Sequence, residues 1–169
     1  FVDKKYPEMK FASPVSGTVK AVVRGDRRKV LYVKVKADET QQFVDFGIKD
    51  IANLDGRAIK EALLASGLFS FIQQLPYAVT TTPDTMPKAI FVSAFRDMPL
   101  ASDFEVELKG NEKDFQIGLT ALSKIQKTYL GLSVHQTASA LVNAKDVEIN
   151  VFDGKCPAGN VGVQVNHID

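Results

Sequence analysis

The spacing of apolar residues changes near residue 50, and this change divides the chain into two kinds of structure. Before it, residues 18–23 are rich in β-branched side chains, Gly25 and Asp26 supply a turn, and residues 31–36 alternate aliphatic side chains with Tyr or Lys. Such alternation predicts a strand with one solvent-facing side. Two strands and a turn are too few to be stable alone, so we expect residues 1–40 to complete a larger β domain.

After residue 50, helical and strand patterns alternate. Asp55 is placed to cap a helix that ends at Ser66 with Gly67 as its left-handed stop, and Asn111 is placed to cap a helix that runs to about Lys127. The other predicted elements are strands at residues 89–92, 128–134, 147–151 and 161–165 and a short helix at residues 136–143. This order predicts an α/β, Rossmann-like domain with a mostly parallel sheet over residues 41–169.

Charge and length exclude several classes of protein. The 21 basic and 20 acidic residues give a net charge of +1, which does not favour a nucleic-acid partner. No apolar run approaches the ~20 residues needed to cross a bilayer. Cys156 is the single cysteine, which favours a reducing compartment. The first residue is Phe1 rather than Met, so we expect a soluble part of a longer protein.

Three groups of segments carry a resemblance to a known family. They are Lys10-Phe-Ala-Ser-Pro-Val-Ser-Gly-Thr-Val19 with residues 24–31; Ala65-Ser-Gly-Leu-Phe69 with Pro76-Tyr77 and residues 87–94; and residues 151–162 with residues 166–168. Together they resemble the A subunit of the bacterial sodium-translocating NADH:quinone oxidoreductase. The resemblance implies the second half of a barrel-sandwich hybrid domain over residues 1–40, followed by the Rossmann-like domain.

The same resemblance implies a role. It describes a peripheral subunit, held by partner subunits at the cytoplasmic face of the bacterial inner membrane, in a complex that oxidises NADH, reduces quinone and exports sodium. We expect this segment to contribute assembly contacts and quinone binding rather than catalysis of its own, because it lacks ligands for redox cofactors. Two alternatives stay open: a Rnf-type electron-transport subunit, and an unrelated small-molecule-binding α/β module.

The glycine-free stretch at residues 69–77 is the main candidate for a binding site. The family is distantly similar to the flavin-carrying subunit of respiratory complex I, where a Gly-rich loop at this place cradles the flavin phosphate. Without glycine here, we predict no FMN or NADH site. The apolar residues of the stretch, which could meet a quinone headgroup, are Phe69, Phe71, Ile72, Leu75 and Tyr77. The alternative is that they fill the vacated flavin cavity as core.

A second candidate is the segment Cys156-Pro157-Ala158-Gly159-Asn160-Val161-Gly162, which we call the signature turn. It resembles a family motif that commonly has His in place of Cys156. Its Pro157 and the glycines Gly159 and Gly162 predict a fixed backbone shape that docks a neighbouring domain. A reactive thiol is the alternative, but no activating base is obvious.

The remaining polar residues suggest weaker sites. Arg96 and Asp97 should lie at the carboxyl end of a strand, as a polar-ligand site or an exposed ion pair, and His135 should be a surface residue. A basic group at the predicted hairpin tip could touch a neighbouring subunit or acidic lipid, or simply be a solvated turn; it comprises Arg24, Arg27, Arg28 and Lys29. The two histidines and the cysteine lack ligand spacing, so no metal site is predicted. We also expect no biotinyl or lipoyl group on Lys10.

Overall fold

The computed structural model describes residues 1–47 and 50–168, so residues 48, 49 and 169 of the predicted α/β domain lie outside the described residues. Strands β1 (Gly17–Arg24) and β2 (Val30–Ala37) form an antiparallel hairpin, as the alternation predicted. The register shifts between Val19 and Ala21, which leaves Lys20 as an extra residue in β1. Such a bulge bends the strand and increases its twist.

The second part of the chain is an α/β unit. Its elements are α1 (Gly56–Ser66), β3 (Gln73–Gln74), β4 (Val79–Thr80), β5 (Ile90–Ala94), α2 (Phe104–Leu108), α3 (Glu112–Ile125), β6 (Thr128–Ser133), α4 (Ser139–Val142), β7 (Glu148–Phe152) and α5 (Val161–Val165). Strands β5, β6 and β7 form a parallel sheet in that order, with Val92, Leu130 and Ile149 in register. The predicted parallel sheet and α/β class are confirmed.

The main core lies between one face of this sheet and α3. Leu130 and Leu132 of β6 are at most 2% exposed, and they belong to one buried cluster with Leu119 of α3 and Leu141 of α4. Leu119 falls on the apolar stripe that the sequence predicted for this helix. Truncating one such leucine to alanine costs about 2–5 kcal/mol, so this cluster fixes the position of the sheet.

The opposite face of the sheet is covered by α5. Ser93, Gly131 and Asn150 lie side by side on neighbouring strands. The Ser93 hydroxyl donates to Oε1 of Gln164, which is 1% exposed. A Cβ at Gly131 would lie 2.6 Å from the Phe91 ring, so glycine is what allows the close packing on this face.

Local capping signals explain the helix bounds. The Asp55 carboxylate accepts from the Ala58 amide at 2.8 Å, and Gly67 ends α1 with φ of +82°, as predicted. Asn111 does precede α3, but within the described residues its side chain makes no capping hydrogen bond. The predicted helix at residues 136–143 shortens to α4, because the Gln136 side chain accepts from the amides of the next two residues and holds them outside the helix.

The predicted strand at residues 161–165 is wrong, because this segment is α5. Valines at every second position also place Val161 and Val165 four apart, on one side of a helix. The Asn160 side chain accepts from the Gly162 amide at 2.8 Å and begins the helix. The buried hydrogen bonds of Gln164 then favour the helix over a fourth strand.

The first twelve residues, which we call the N-terminal arm, lie against the α/β unit. The Tyr6 hydroxyl donates to the Asp84 carboxylate at 2.8 Å, and Met9 is 4% exposed. A Cβ at Gly67 would lie 3.1 Å from the Ala12 nitrogen, so the end of α1 touches this arm directly. Across the described ranges, none of the helices combines the length and apolar character needed to cross a membrane.

Candidate functional site

Residues 69–77 form most of a small hairpin. Gly67 leads into a 3₁₀ turn (Leu68–Phe71), and β3 then pairs with β4 through Gln73 with Thr80 and Gln74 with Val79. The Thr81 amide donates to the Ile72 carbonyl at 3.0 Å and closes the base. The glycine-free stretch therefore consists of the end of the 3₁₀ turn and two short strands joined by residues 75–78.

The hairpin exposes most of its apolar side chains. Phe69 is 6% exposed and packs inside, and Ile72 is half-buried. The other apolar residues form what we call the hairpin surface, with the exposed fractions Phe71 81%, Leu75 38%, Tyr77 84% and Val79 53%. Phe69 is thus part of the core and Ile72 partly so, whereas the side chains of Phe71 and Tyr77 lie in water.

A cavity of about 380 Å³ lies where the hairpin meets the N-terminal arm. It is lined by Asp3, Lys5, Tyr6, Met9, Phe11, Thr80, Thr81 and Thr82. Hydrogen bonds from the hydroxyls of Thr82 and Tyr6 lower the pKa of the neighbouring Asp84 carboxyl, so Asp84 stays ionised at neutral pH. Pockets of this size between two structural units are common ligand sites.

A second cavity, of about 360 Å³, lies at the carboxyl ends of β5 and β6, where ligands bind in open α/β sheets. Arg96 lines it and is half-exposed, and its guanidinium lies 2.9 Å from both the Glu107 carboxylate and the Ser102 hydroxyl. Hydrogen bonds from the Ser102 hydroxyl and then from the Arg96 guanidinium lower the pKa of Glu107. Arg96 therefore forms an ion pair, but its partner is Glu107 and not the neighbouring Asp97.

The signature turn packs against its own domain. The Gly159 amide donates to Oδ2 of Asp97 at 2.9 Å, and a Cβ at residue 159 would lie 2.4 Å from Oδ1 of the same carboxylate. The Gln164 side chain also donates to the Ala158 carbonyl at 3.0 Å. The fixed backbone shape is present, and the contacts that the structure shows for it are internal.

The other predicted residues stay apart. Cys156, His135 and His167 are all exposed, and residues 1–47 and 50–168 hold no cluster of His, Cys, Asp or Glu side chains that could bind a metal. The basic residues at the tip of the β1–β2 hairpin are exposed as well. Sequence reasoning missed Gln164 and Ser93; a Gln among regularly spaced valines was the available signal for Gln164.

Comparison with known proteins finds two family models that match this chain. Residues 1–38 match a family model described as the NqrA N-terminal barrel-sandwich hybrid domain, and residues 54–169 match one described as the NqrA second alpha/beta domain.

Individual relatives agree with these models. The A subunit of the Na(+)-translocating NADH-quinone reductase from Saccharophagus degradans is 34% identical over 177 residues, covering all of this chain and 38% of its own length. The proteins of the same name from Actinobacillus pleuropneumoniae, at 34%, and Yersinia pseudotuberculosis, at 32%, also align with the whole chain and with 39% and 38% of their own lengths. The chain thus spans about two fifths of the relatives that it matches. Because the match to the second alpha/beta domain covers more than half of it, the chain belongs to the NqrA family.

Proposed function

We propose that this chain is a peripheral, cofactor-free part of the A subunit of a sodium-translocating NADH:quinone oxidoreductase, and that its hairpin surface takes part in quinone binding. The observation that carries the proposal is the exposure of Phe71 and Tyr77, both above 80%, on a short projecting hairpin. Two large aromatic side chains in water on one short hairpin offer apolar area to a ligand. The names of the relatives supply the quinone and the complex.

The chemistry of the hairpin suits a quinone headgroup, which is flat, apolar and has two carbonyl acceptors. The rings of Phe71 and Tyr77 offer apolar area for stacking, and the Tyr77 hydroxyl offers a donor. The amide side chains of Gln73 and Gln74 are exposed on the adjoining strand and add further donors. The cavity beside Thr80–Thr82 lies at the base of the hairpin and is lined by residues other than those of the hairpin surface.

The cofactor-free part of the proposal rests on the backbone. A flavin phosphate needs bare amides at close approach, which glycine provides. Residues 68–81 contain no glycine, so a side chain stands beside every amide of the hairpin and keeps a phosphate at a distance. The subunit would then act through assembly with partner subunits at the cytoplasmic face of the inner membrane.

A titration of the full-length subunit with a short-chain quinone tests the proposal. The variant Phe71→Ala with Tyr77→Ala should bind at least about tenfold more weakly, since 1.4 kcal/mol of lost contact corresponds to a factor of ten. The matched control is Met86→Ala with Met98→Ala, which removes two other exposed apolar side chains (84% and 66% exposed) outside the hairpin. Unchanged affinity in a folded hairpin variant would overturn quinone binding here, and saturable FMN binding at micromolar concentration would overturn the cofactor-free part.

A further inference from the structure

The charge of the chain is concentrated in one element. Residues 17–37, which we call the basic hairpin, contain seven basic residues and one acidic residue, Asp26. The basic residues are Lys20, Arg24, Arg27, Arg28, Lys29, Lys34 and Lys36. The basic hairpin therefore carries a net +6, and since the whole chain carries +1, all other residues together carry −5.

These cations are open to solvent. All seven basic side chains belong to exposed residues. In the described part of the chain, none of them lies within 4.0 Å of a carboxylate, whereas cations elsewhere pair with Glu61, Glu107 and Glu148. Within the described residues, no carboxylate of this chain neutralises their charge.

The strand geometry places two of these cations, Lys34 and Lys36, on one side of β2. Successive side chains of a strand point to opposite faces, so Tyr32, Lys34 and Lys36 project from one face of β2, and Val33 and Val35 from the other. The Lys34 ammonium lies 5.7 Å from the centre of the Tyr32 ring, in agreement with this arrangement. An eight-residue strand extends about 26 Å, so the charges are spread along a line rather than gathered in a pocket.

The turn at the end of the basic hairpin is strained. The Lys29 amide donates to the Asp26 carbonyl at 3.1 Å, and the two residues between them, Arg27 and Arg28, both have positive φ, of 53° and 60°. A hairpin turn of this mirror-image type favours Asn-Gly, because L side chains resist the left-handed region. Arginines at these two positions lower the stability of the turn. Their presence there suggests a role in binding.

We propose that the basic hairpin binds the surface of an anionic phospholipid bilayer. A row of unpaired cations, with a tyrosine beside them, matches a plane of phosphate groups whose potential attracts each Lys or Arg. A bilayer meets the protein from one side, so it can contact the basic hairpin without contacting the acidic residues elsewhere in this chain. The proposal rests on the proposed function only in placing the protein beside a membrane.

Co-sedimentation of the full-length subunit with lipid vesicles tests this proposal. We expect binding to vesicles of equimolar phosphatidylcholine and phosphatidylglycerol, and not to phosphatidylcholine alone. Binding should be lost as the salt is raised from about 0.01 M to about 1 M, because the screening length falls from ~30 Å to ~3 Å. Equal binding to both kinds of vesicle, or no binding at low salt, would overturn the proposal.

Two sets of variants distinguish vesicle binding by the basic hairpin from vesicle binding by the net charge of the whole protein. Replacing Arg27, Arg28 and Lys29 with glutamine should weaken vesicle binding on the order of a hundredfold. The control replaces three exposed lysines elsewhere, Lys109, Lys113 and Lys155, with glutamine and changes the net charge equally. We expect the control to bind vesicles nearly as well as the unaltered protein; an equal loss in both sets would overturn the proposal.

A variant of the turn tests whether a loss of vesicle binding could be caused by misfolding. Arg27→Asn with Arg28→Gly relieves the left-handed strain and removes two charges, so it should fold at least as well and still bind vesicles at least about tenfold more weakly. Full vesicle binding by this variant would contradict a role for the two arginines. Quinone affinity should be unchanged in every basic-hairpin variant, which keeps this test distinct from the quinone proposal.

Discussion

The signature turn and the hairpin surface are both conspicuous in the sequence, yet the structure uses them in opposite ways. The middle of the signature turn contacts its own domain: the Gly159 amide donates to the Asp97 carboxylate, and the Ala158 carbonyl accepts from the buried Gln164 side chain. The hairpin surface faces outward, with Phe71 and Tyr77 in water. Contacts within the domain therefore account for the middle of the turn, whereas the exposed rings of the hairpin are the basis of the proposed quinone site.

This difference shows how a motif that marks a family relates to a binding site. A backbone shape that only glycine permits can be required by a neighbouring loop of the same domain, as at Gly159. Apolar side chains that stay in water, in contrast, do not stabilise the folded state, and they lower the solubility of the protein. Substitutions should therefore lower stability at the turn and leave stability unchanged at the hairpin.

The largest effect is expected for Gly159→Ala. The new Cβ would lie 2.4 Å from Oδ1 and 2.6 Å from the backbone nitrogen of Asp97, so the two loops must separate and the hydrogen bond between them must break. We expect the free energy of unfolding to fall by about 3 kcal/mol in urea denaturation. The control is Gly162→Ala, where the nearest atom is Oδ1 of Asn160 at 3.2 Å; it should change the free energy of unfolding by no more than about 1 kcal/mol. Equal effects at both glycines would contradict the inward docking of the turn.

Gln164→Leu should have the next largest effect. It keeps the volume but leaves the Ser93 hydroxyl and the Ala158 carbonyl without their buried partner, and we expect a loss of about 2 kcal/mol. Adding Ser93→Ala should recover part of that loss, because one of the two abandoned polar groups is removed. Thermal or urea unfolding of the single and double variants measures this coupling. Strict additivity of the two substitutions would argue against the hydrogen bond.

A smaller effect of opposite sign is expected at the tip of the basic hairpin. Arg27→Asn with Arg28→Gly should raise the free energy of unfolding by about 1 kcal/mol, because both positions have positive φ. Amide exchange at Gly25 and Lys29, whose backbone groups bond across the turn, reports the local stability. Faster exchange in the variant would show that the turn is not strained.

The smallest change in stability is expected for Phe71→Ser with Tyr77→Ser. Since both side chains are more than 80% exposed, the free energy of unfolding should stay within about 0.5 kcal/mol of the unaltered protein. The matched buried substitution is Phe69→Ser on the same segment, where the ring is 6% exposed and the loss should reach about 3 kcal/mol. A large loss from the exposed pair would mean that the hairpin packs against the protein.

Much of the fold follows from local sequence signals. Asp55 and Gly67 bound α1 as predicted because capping depends on neighbouring residues alone. The spacing of Leu119 with its helical neighbours indicated the buried side of α3. The segment that became α5 was misread because three alternating valines satisfy both strand and helix spacing, and the deciding bond joins Gln164 to Ser93, 71 residues away.

The site was less predictable for a related reason. The absence of glycine between residues 69 and 77 is visible in the sequence, but it fits a filled cavity as well as an exposed hairpin. The choice depends on how β3 and β4 pair and turn, which places Phe69 inside and Phe71 outside. The contact of Asp97 with Gly159 spans 62 residues and likewise has no local signal.

Amide hydrogen exchange of the full-length subunit, with and without a saturating short-chain quinone, tests most directly whether the hairpin surface is the binding site. We predict slower exchange at residues 72–81 when quinone binds and unchanged exchange at residues 156–162. Protection confined to the signature turn, or saturated binding with no change in the hairpin, would contradict quinone binding at the hairpin.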